Sequence, residues 1–182
     1  QRGGIAEIGC TSGTTAEPKG VVSSHGNSLA NLEPIERGIR EYLKYERFFH
    51  PARFLNLLPL SHVFGQFLGI FIPQLMGGTV LFLESFSPSE VIRTVKRGRV
   101  TVVAIVPRVL ETLREKIERD LEAQGRLDWL RREMAAAEGR PFLRRAWRFR
   151  EIHRRFGWKF WAFISGGAAL PADTETFWSR LG

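Results

Sequence analysis

The period of apolar positions changes several times along the chain, and each change marks an element. Residues 100–106, Val-Thr-Val-Val-Ala-Ile-Val, form a β-branched run. That is the pattern of an interior strand buried on both faces. Ile5–Thr11, 21–25, 53–60, 79–83 and 160–164 predict further strands. Between them the period lengthens. Leu29, Leu32, Ile35, Ile39 and Leu43 share one helical face, capped by Asn27 or Ser28, and predict a helix to about Tyr45. Residues 63–76 predict a strongly apolar helix with Pro73 near its last turn and a stop at Gly77-Gly78. Pro88, after Ser87 and before Glu90, opens a helix, and Pro107 opens another that runs to Glu122. Residues 127–137 and 141–156 predict two more helices, divided by Gly139-Arg140-Pro141, and Ala172–Leu181 predicts a last one. Strands alternating with helices predict an α/β fold, a mostly parallel sheet covered by helices on both faces.

Composition narrows the class without changing this picture. The 182 residues suit one ordinary domain, and 43% hydrophobic with 12% aromatic residues excludes disorder as the main state. The single Cys, Cys10, excludes an internal disulfide and a Cys-rich metal framework. It reads as a buried small residue rather than a nucleophile. His25, His50 and His153 show no metal-ligand spacing, so no protein metal site is expected. The apolar stretches 67–76 and 100–107 fall short of the about 18–20 residues that span a bilayer. A cytoplasmic setting follows as the expectation.

Charge is unevenly placed. Lys and Arg number 27 against 19 Asp and Glu, a formal net charge of +8. Eleven basic residues and four acids lie within 126–159, which therefore carries nearly all the excess. One reading is a surface for an anionic partner, nucleic acid or the inner face of a membrane. The other is the solvated side of amphipathic helices. Apolar residues at helical spacing favour the second. Leu127, Leu130 and Met134 would pack in a first helix, and Leu143, Trp147, Phe149 and Ile152 in a second, with the arginines outward. Peripheral contact with anionic lipid stays open on this reading, and no nucleic-acid partner is expected.

The chemistry concentrates in Thr11-Ser12-Gly13-Thr14-Thr15-Ala16-Glu17-Pro18-Lys19-Gly20. Glycines let backbone N–H groups approach an anion, hydroxyls donate further bonds, and Lys adds a point charge. This is the equipment of a polyphosphate cradle. It is not a P-loop. Gly13 and Lys19 have the right separation, but Pro18 stands where the second Gly belongs and removes an N–H, and Gly20 stands where the metal-binding hydroxyl belongs.

Thr11-Ser12-Gly13-Thr14-Thr15-x-x-Pro18-Lys19-Gly20-Val21 resembles the phosphate-loop signature of the AMP-forming adenylating enzymes, which include acyl-CoA synthetases, luciferases and the adenylation domains of peptide synthetases. Ala16 departs from the family's usual Gly. Two further segments follow in the family's order. Leu58-Pro59-Leu60-Ser61-His62-Val63-Phe64-Gly65 resembles Leu-Pro-Leu-x-His-x-x-Gly, and Ser165-Gly166-Gly167-Ala168-Ala169-Leu170-Pro171 resembles Ser-Gly-Gly-Ala-Pro-Leu with Ala169 in place of Pro. The resemblance runs from about Ile5 to the end, apart from the Arg-rich stretch.

The resemblance implies a carboxylic acid reacting with ATP to give an acyl-adenylate and pyrophosphate, then transfer to a thiol. It implies ATP, Mg2+ and coenzyme A as cofactors. Thr11, Ser12, Gly13, Thr14, Thr15 and Lys19 would hold the leaving pyrophosphate. His62 would stand near the acyl carboxylate, and Lys19 and His62 are the candidate catalytic residues. Gly166, Gly167, Ala168 and Ala169 would present backbone to the adenine. The apolar 63–76 segment and the long helical insertion suit a medium-to-long-chain fatty acid, with aryl acids and acyl-carrier-protein acceptors as alternatives. Residues 1–182 are then expected to be part of an adenylation domain, with 126–159 an insertion in it. The family's Tyr-Gly-x-Thr-Glu motif, ribose-binding Asp, hinge and Lys-bearing C-terminal domain are absent from these residues, so a fragment inactive on its own is expected. A non-catalytic basic module acting through 126–159 is the alternative.

Overall fold

In the computed structural model, which describes residues 3–11, 19–46 and 51–182, the Val-Val-Ala-Ile run becomes an interior strand. It is β5 (Val102–Ile105), and all four residues are buried. Its sheet has four parallel strands in the order β4-β3-β5-β6, with β3 at Arg53–Asn56, β4 at Thr79–Phe82 and β6 at Ala162–Ser165. Leu55 lies opposite Leu81 on one side and Val103 on the other, and Val103 opposite Phe163.

Alternation along the strands feeds two cores. Leu55, Leu57, Val103 and Ile105 face one side. There they meet α4 (Pro88–Arg97), α5 (Pro107–Glu122), α6 (Leu127–Ala136), α8 (Arg150–Phe156) and α9 (Ala172–Leu181). Phe54, Leu58, Val102 and Ala104 face the other side and meet Leu68 and Ile72. Those two belong to a helical run made of α2 (Val63–Gln66), a π-helical turn (Phe67–Phe71) and α3 (Ile72–Leu75). The chain steps from β3 outward to β4, then back across β3 to β5. Right-handed crossovers put the connections of those opposite steps on opposite faces. The strand order thus reverses between β3 and β5, and open α/β sheets bind ligands outside the carboxyl ends of the strands at such a reversal.

Three expectations change. Ile5–Thr11 and the second strand are not part of the parallel sheet. They are β1 and β2 (Lys19–Ser24), an antiparallel hairpin in which Thr11 lies opposite Lys19. Only residues 12–18 lie between them, too few for a parallel crossover. The helix after them, α1 (His25–Glu46), starts earlier than Asn27. Ser24 Oγ accepts from the Asn27 backbone N–H at 3.2 Å, so Ser24 supplies the cap. The single helix over 141–156 is two, α7 (Phe142–Arg148) and α8, broken at Phe149. Phe149, Ile152 and Phe156 enter the core, whereas Leu143 and Trp147 are 77% and 64% exposed and do not pack as the sequence suggested. Reaching the core with Phe149 costs the helix its continuity there, because that residue adopts φ −95° and ψ 19°.

The Arg-rich helices are held by charge as well as packing. Asp120 on α5 pairs with Lys116 and accepts from Arg155 Nη1 of α8 at 2.9 Å. Burial pushes this carboxyl up, but the two cations outweigh it and hold it below its ordinary 3.8. A depressed carboxyl stabilises the fold above its unfolded value, and that contribution disappears as the pH falls through the folded value. The unfolding-midpoint difference between wild type and Asp120→Asn should therefore be largest near neutrality and shrink as the pH falls below 3.8. A pH-independent difference in urea titrations would contradict this account of the tie.

Candidate functional site

The loop leaving β3 is organised by a side chain that sequence reasoning passed over. Asn56 is 2% exposed. Its Oδ1 accepts from the Leu58 N–H at 3.1 Å, and its Nδ2 donates to the Leu58 carbonyl at 3.2 Å and reaches the Gly65 carbonyl at 3.5 Å. An amide at the end of an apolar strand thus satisfies backbone groups that the sheet no longer pairs. Close approach then dictates two glycines. A Cβ on Gly65 would stand 2.1 Å from the Pro59 carbonyl oxygen, and one on Gly69 would stand 2.4 Å from Asn56 Nδ2. The glycine of the Leu-Pro-Leu-Ser-His-Val-Phe-Gly segment is required by contact with its own proline.

His62 follows from this turn. Its N–H donates to the Pro59 carbonyl at 3.1 Å, and it caps α2 with Nδ1 accepting from the Phe64 N–H at 3.4 Å. With Nδ1 so used, Nε2 carries the proton of the neutral ring and is available as a donor. The imidazole is exposed. Gln66 of the same helix donates to Glu7 Oε1 at 2.7 Å, which ties the β1–β2 hairpin to the helix that His62 caps.

The second segment meets the first through Phe64. A Cβ on Gly166 would lie 2.4 Å from the Phe64 ring, so that ring rests on the backbone just after β6. Gly167 has φ +85°, which favours glycine. Ser165 closes β6 as its last residue, and its hydroxyl is buried with no hydrogen-bond partner among the described residues. An orphaned buried hydroxyl beside an open glycine turn fits a site made for a polar ligand. Ala168 and Ala169 are exposed.

The helix after this turn is fixed at both ends. Arg114 Nη1 donates to Asp173 at 2.5 Å in the first turn of α9, and Arg114 Nε donates to Glu118 at 3.1 Å. The Arg114 bond holds the Asp173 carboxyl below its usual range. At the far end Arg145 donates to the Ser179 carbonyl at 2.6 Å and His153 Nε2 lies 3.0 Å from the Leu181 carbonyl. Arg145 sits on the end where a cation suits the helix dipole.

Of the residues singled out in the sequence, the structure brings His62 and the Gly166–Gly167 turn to one end of the sheet, linked by Phe64. Residues 12–18, which include Ser12, Gly13, Thr14 and Thr15, lie outside the described residues, as do the side chains of Cys10, Thr11 and Lys19. Among the described residues no group of three His, Cys, Asp or Glu could hold a metal ion. Among them, too, no helix is long and apolar enough to cross a membrane.

The family model for the AMP-binding enzymes matches residues 4–182. The chain belongs to that family. The family match also covers the Arg-rich helices. Long chain acyl-CoA synthetase 8 of Arabidopsis thaliana is 26% identical over 198 residues, covering 97% of this chain and 26% of the relative. The 4-coumarate–CoA ligase-like 6 of the same plant is 33% identical over 114 residues, covering 62% of this chain and 19% of the relative. ATP-bound MatB from Rhodopseudomonas palustris superposes with a TM-score of 0.59 at 27% identity, over 98% of this chain and 27% of that one. The chain spans about a quarter or less of the length of these relatives. Its parallel sheet and covering helices match this adenylating-enzyme fold.

The Phe64–Gly166 contact makes a quantitative expectation. Gly166→Ala should destabilise the AMP-binding fold by about 1–3 kcal/mol through overpacking. In Phe64→Ala, which removes the ring, the same substitution should cost less, with a coupling of at least about 0.5 kcal/mol in a double-mutant cycle of urea unfolding. Strict additivity would mean that the two segments do not touch.

Proposed function

We propose that this chain is the part of an AMP-forming acid–thiol ligase that binds the nucleotide and orients the acid. The carrying observation is the family match across residues 4–182, together with the meeting of the His62 and Gly166–Gly167 segments at the switch point of the parallel sheet. The domain is then one adenylation unit in part, with 126–159 a helical insertion. A carboxylate oxygen of the acid attacks the α-phosphorus of ATP. The bond to the β-phosphate breaks, and pyrophosphate leaves with the electron pair. A thiol next attacks the acyl carbon, giving the thioester and releasing AMP.

Such a reaction asks the protein mainly for positioning and for neutralising charge on the leaving group. Thr11, Ser12, Gly13, Thr14, Thr15 and Lys19 would neutralise the pyrophosphate, Lys19 with a full charge. His62, whose Nδ1 accepts from the Phe64 N–H, would orient the acid carboxylate through Nε2. Gly166, Gly167, Ala168 and Ala169 would lie along the adenine, with the Ser165 hydroxyl as an added polar contact. Among the described residues no group of three His, Cys, Asp or Glu offers ligands to the magnesium that accompanies ATP. The apolar 63–76 segment, in which Phe67 and Phe71 meet edge to face at 5.6 Å, supports a medium-to-long fatty acid as substrate, and coenzyme A is the proposed acceptor. The relatives' names span fatty and aryl acids. The non-catalytic alternative is disfavoured by the match of an enzyme family across residues 4–182.

The test is ATP–pyrophosphate exchange by the intact protein. Lys19→Ala and Thr14→Ala should each lower the exchange rate by about 100-fold or more, the usual loss when one transition-state donor is removed, with unfolding midpoints unchanged. Exchange at the wild-type rate in both variants would remove the phosphate-cradle assignment.

A further inference from the structure

The eleven basic residues of 126–159 fall into two groups. Arg126 pairs with Glu151, Arg131 with Asp128, Arg148 with Glu133 and Arg155 with Asp120, while Arg145 donates to the Ser179 carbonyl. These five mostly fasten the Arg-rich helices to one another and to α5 and α9. Among the described residues Arg132, Arg140, Arg144, Arg150, Arg154 and Lys159 make no close ion pair, although Arg132 and Arg140 act on the Glu133 carboxylate at longer range.

The second group has an apolar companion. Leu143 and Trp147 are one turn apart on α7, and at 77% Leu143 is the most exposed large apolar side chain described. The Arg150 guanidinium carbon lies 4.7 Å from the centroid of the Trp147 ring. Arg154 is one turn further along α8, and with Arg150 and Trp129 it lines one cleft. Leu143, Trp147, Arg150 and Arg154 thus run from apolar to cationic across adjoining helices, with Arg140 and Arg144 near Leu143 in sequence.

We propose that this surface docks on an anionic lipid bilayer. Leu143 and Trp147 enter the boundary between headgroups and acyl chains, where an amphipathic indole is at home. Arg144, Arg150 and Arg154 meet lipid phosphates, which guanidinium groups match in geometry and charge. Nucleic acid would answer the arginines but would leave Leu143 in water. A bilayer covers both. The surface lies on the insertion, away from the Phe64–Gly166 contact, so this inference stands independently of the reaction proposed above.

The intact protein is sedimented with vesicles of phosphatidylcholine alone and of phosphatidylcholine mixed with phosphatidylglycerol. Binding is expected only to the mixed vesicles, and it should weaken as salt rises. Arg144→Gln and Arg150→Gln should each weaken it about fivefold at low salt. Leu143→Ser and Trp147→Ser, which leave the charge unchanged, should also weaken it. All four positions are exposed, so unfolding midpoints near wild type are expected and confirm that the variants fold. Equal binding to both vesicle types, binding to neither, or wild-type binding by both apolar variants overturns the proposal. So does single-stranded RNA binding that the arginine variants weaken while vesicles fail to bind.

Discussion

The site depends on one buried amide. Asn56 ends β3 where the ladder stops, and both ends of its side chain are used on the loop that follows. A leucine there would leave the Leu58 N–H and carbonyl without these partners, a loss of about 1–3 kcal/mol for each group left buried and unsatisfied. The amide also draws in the helical run over 63–75, which reaches it only because Gly69 lacks a side chain. Gly65 then presses on the Pro59 carbonyl, and this fixes where His62 and Phe64 leave the backbone. Phe64 carries the arrangement across to Gly166. Strand end, histidine and glycine turn are one packed unit.

The Arg-rich helices support that unit from behind. Arg145 and His153 hold the last carbonyls of α9, and Arg114 holds its first turn through Asp173. The helix they fix is the one that follows the glycine turn. Arginines that look in the sequence like a solvated face therefore divide into structural ties and a set without close ion pairs among the described residues, of which Arg150 stacks on exposed Trp147.

Much of the fold was legible because its signals are local. The run 100–106, Pro107 and the proline after Ser87 marked β5, α5 and α4 within a residue or two, and Ala172–Leu181 was read in full. Pairing was not legible, because partner and direction depend on topology rather than on a strand's own pattern. The β1–β2 hairpin was missed for that reason. Periodicity placed Phe149 and Ile152 in the core correctly but added Leu143 and Trp147, which are exposed, and missed Phe156. Three apolar residues at that spacing already saturate a short helix face. At the site, His62 and Gly166–Gly167 stood out through motif and residue type. Asn56 left only a faint trace, one amide at the end of Arg-Phe-Leu-Asn. Ser165 and Phe64 gain their interest from contacts that no linear pattern encodes.

The central claim is that the loop after β3 and the turn after β6 form a single nucleotide site. Amide hydrogen exchange of the intact protein, with and without a non-hydrolysable ATP analogue, tests it most directly. Added nucleotide should slow exchange together in 58–66 and 165–170, while the distant helices α6 and α7 stay unchanged. Protection confined to one of the two segments, or found in neither while the nucleotide is bound, would contradict the account.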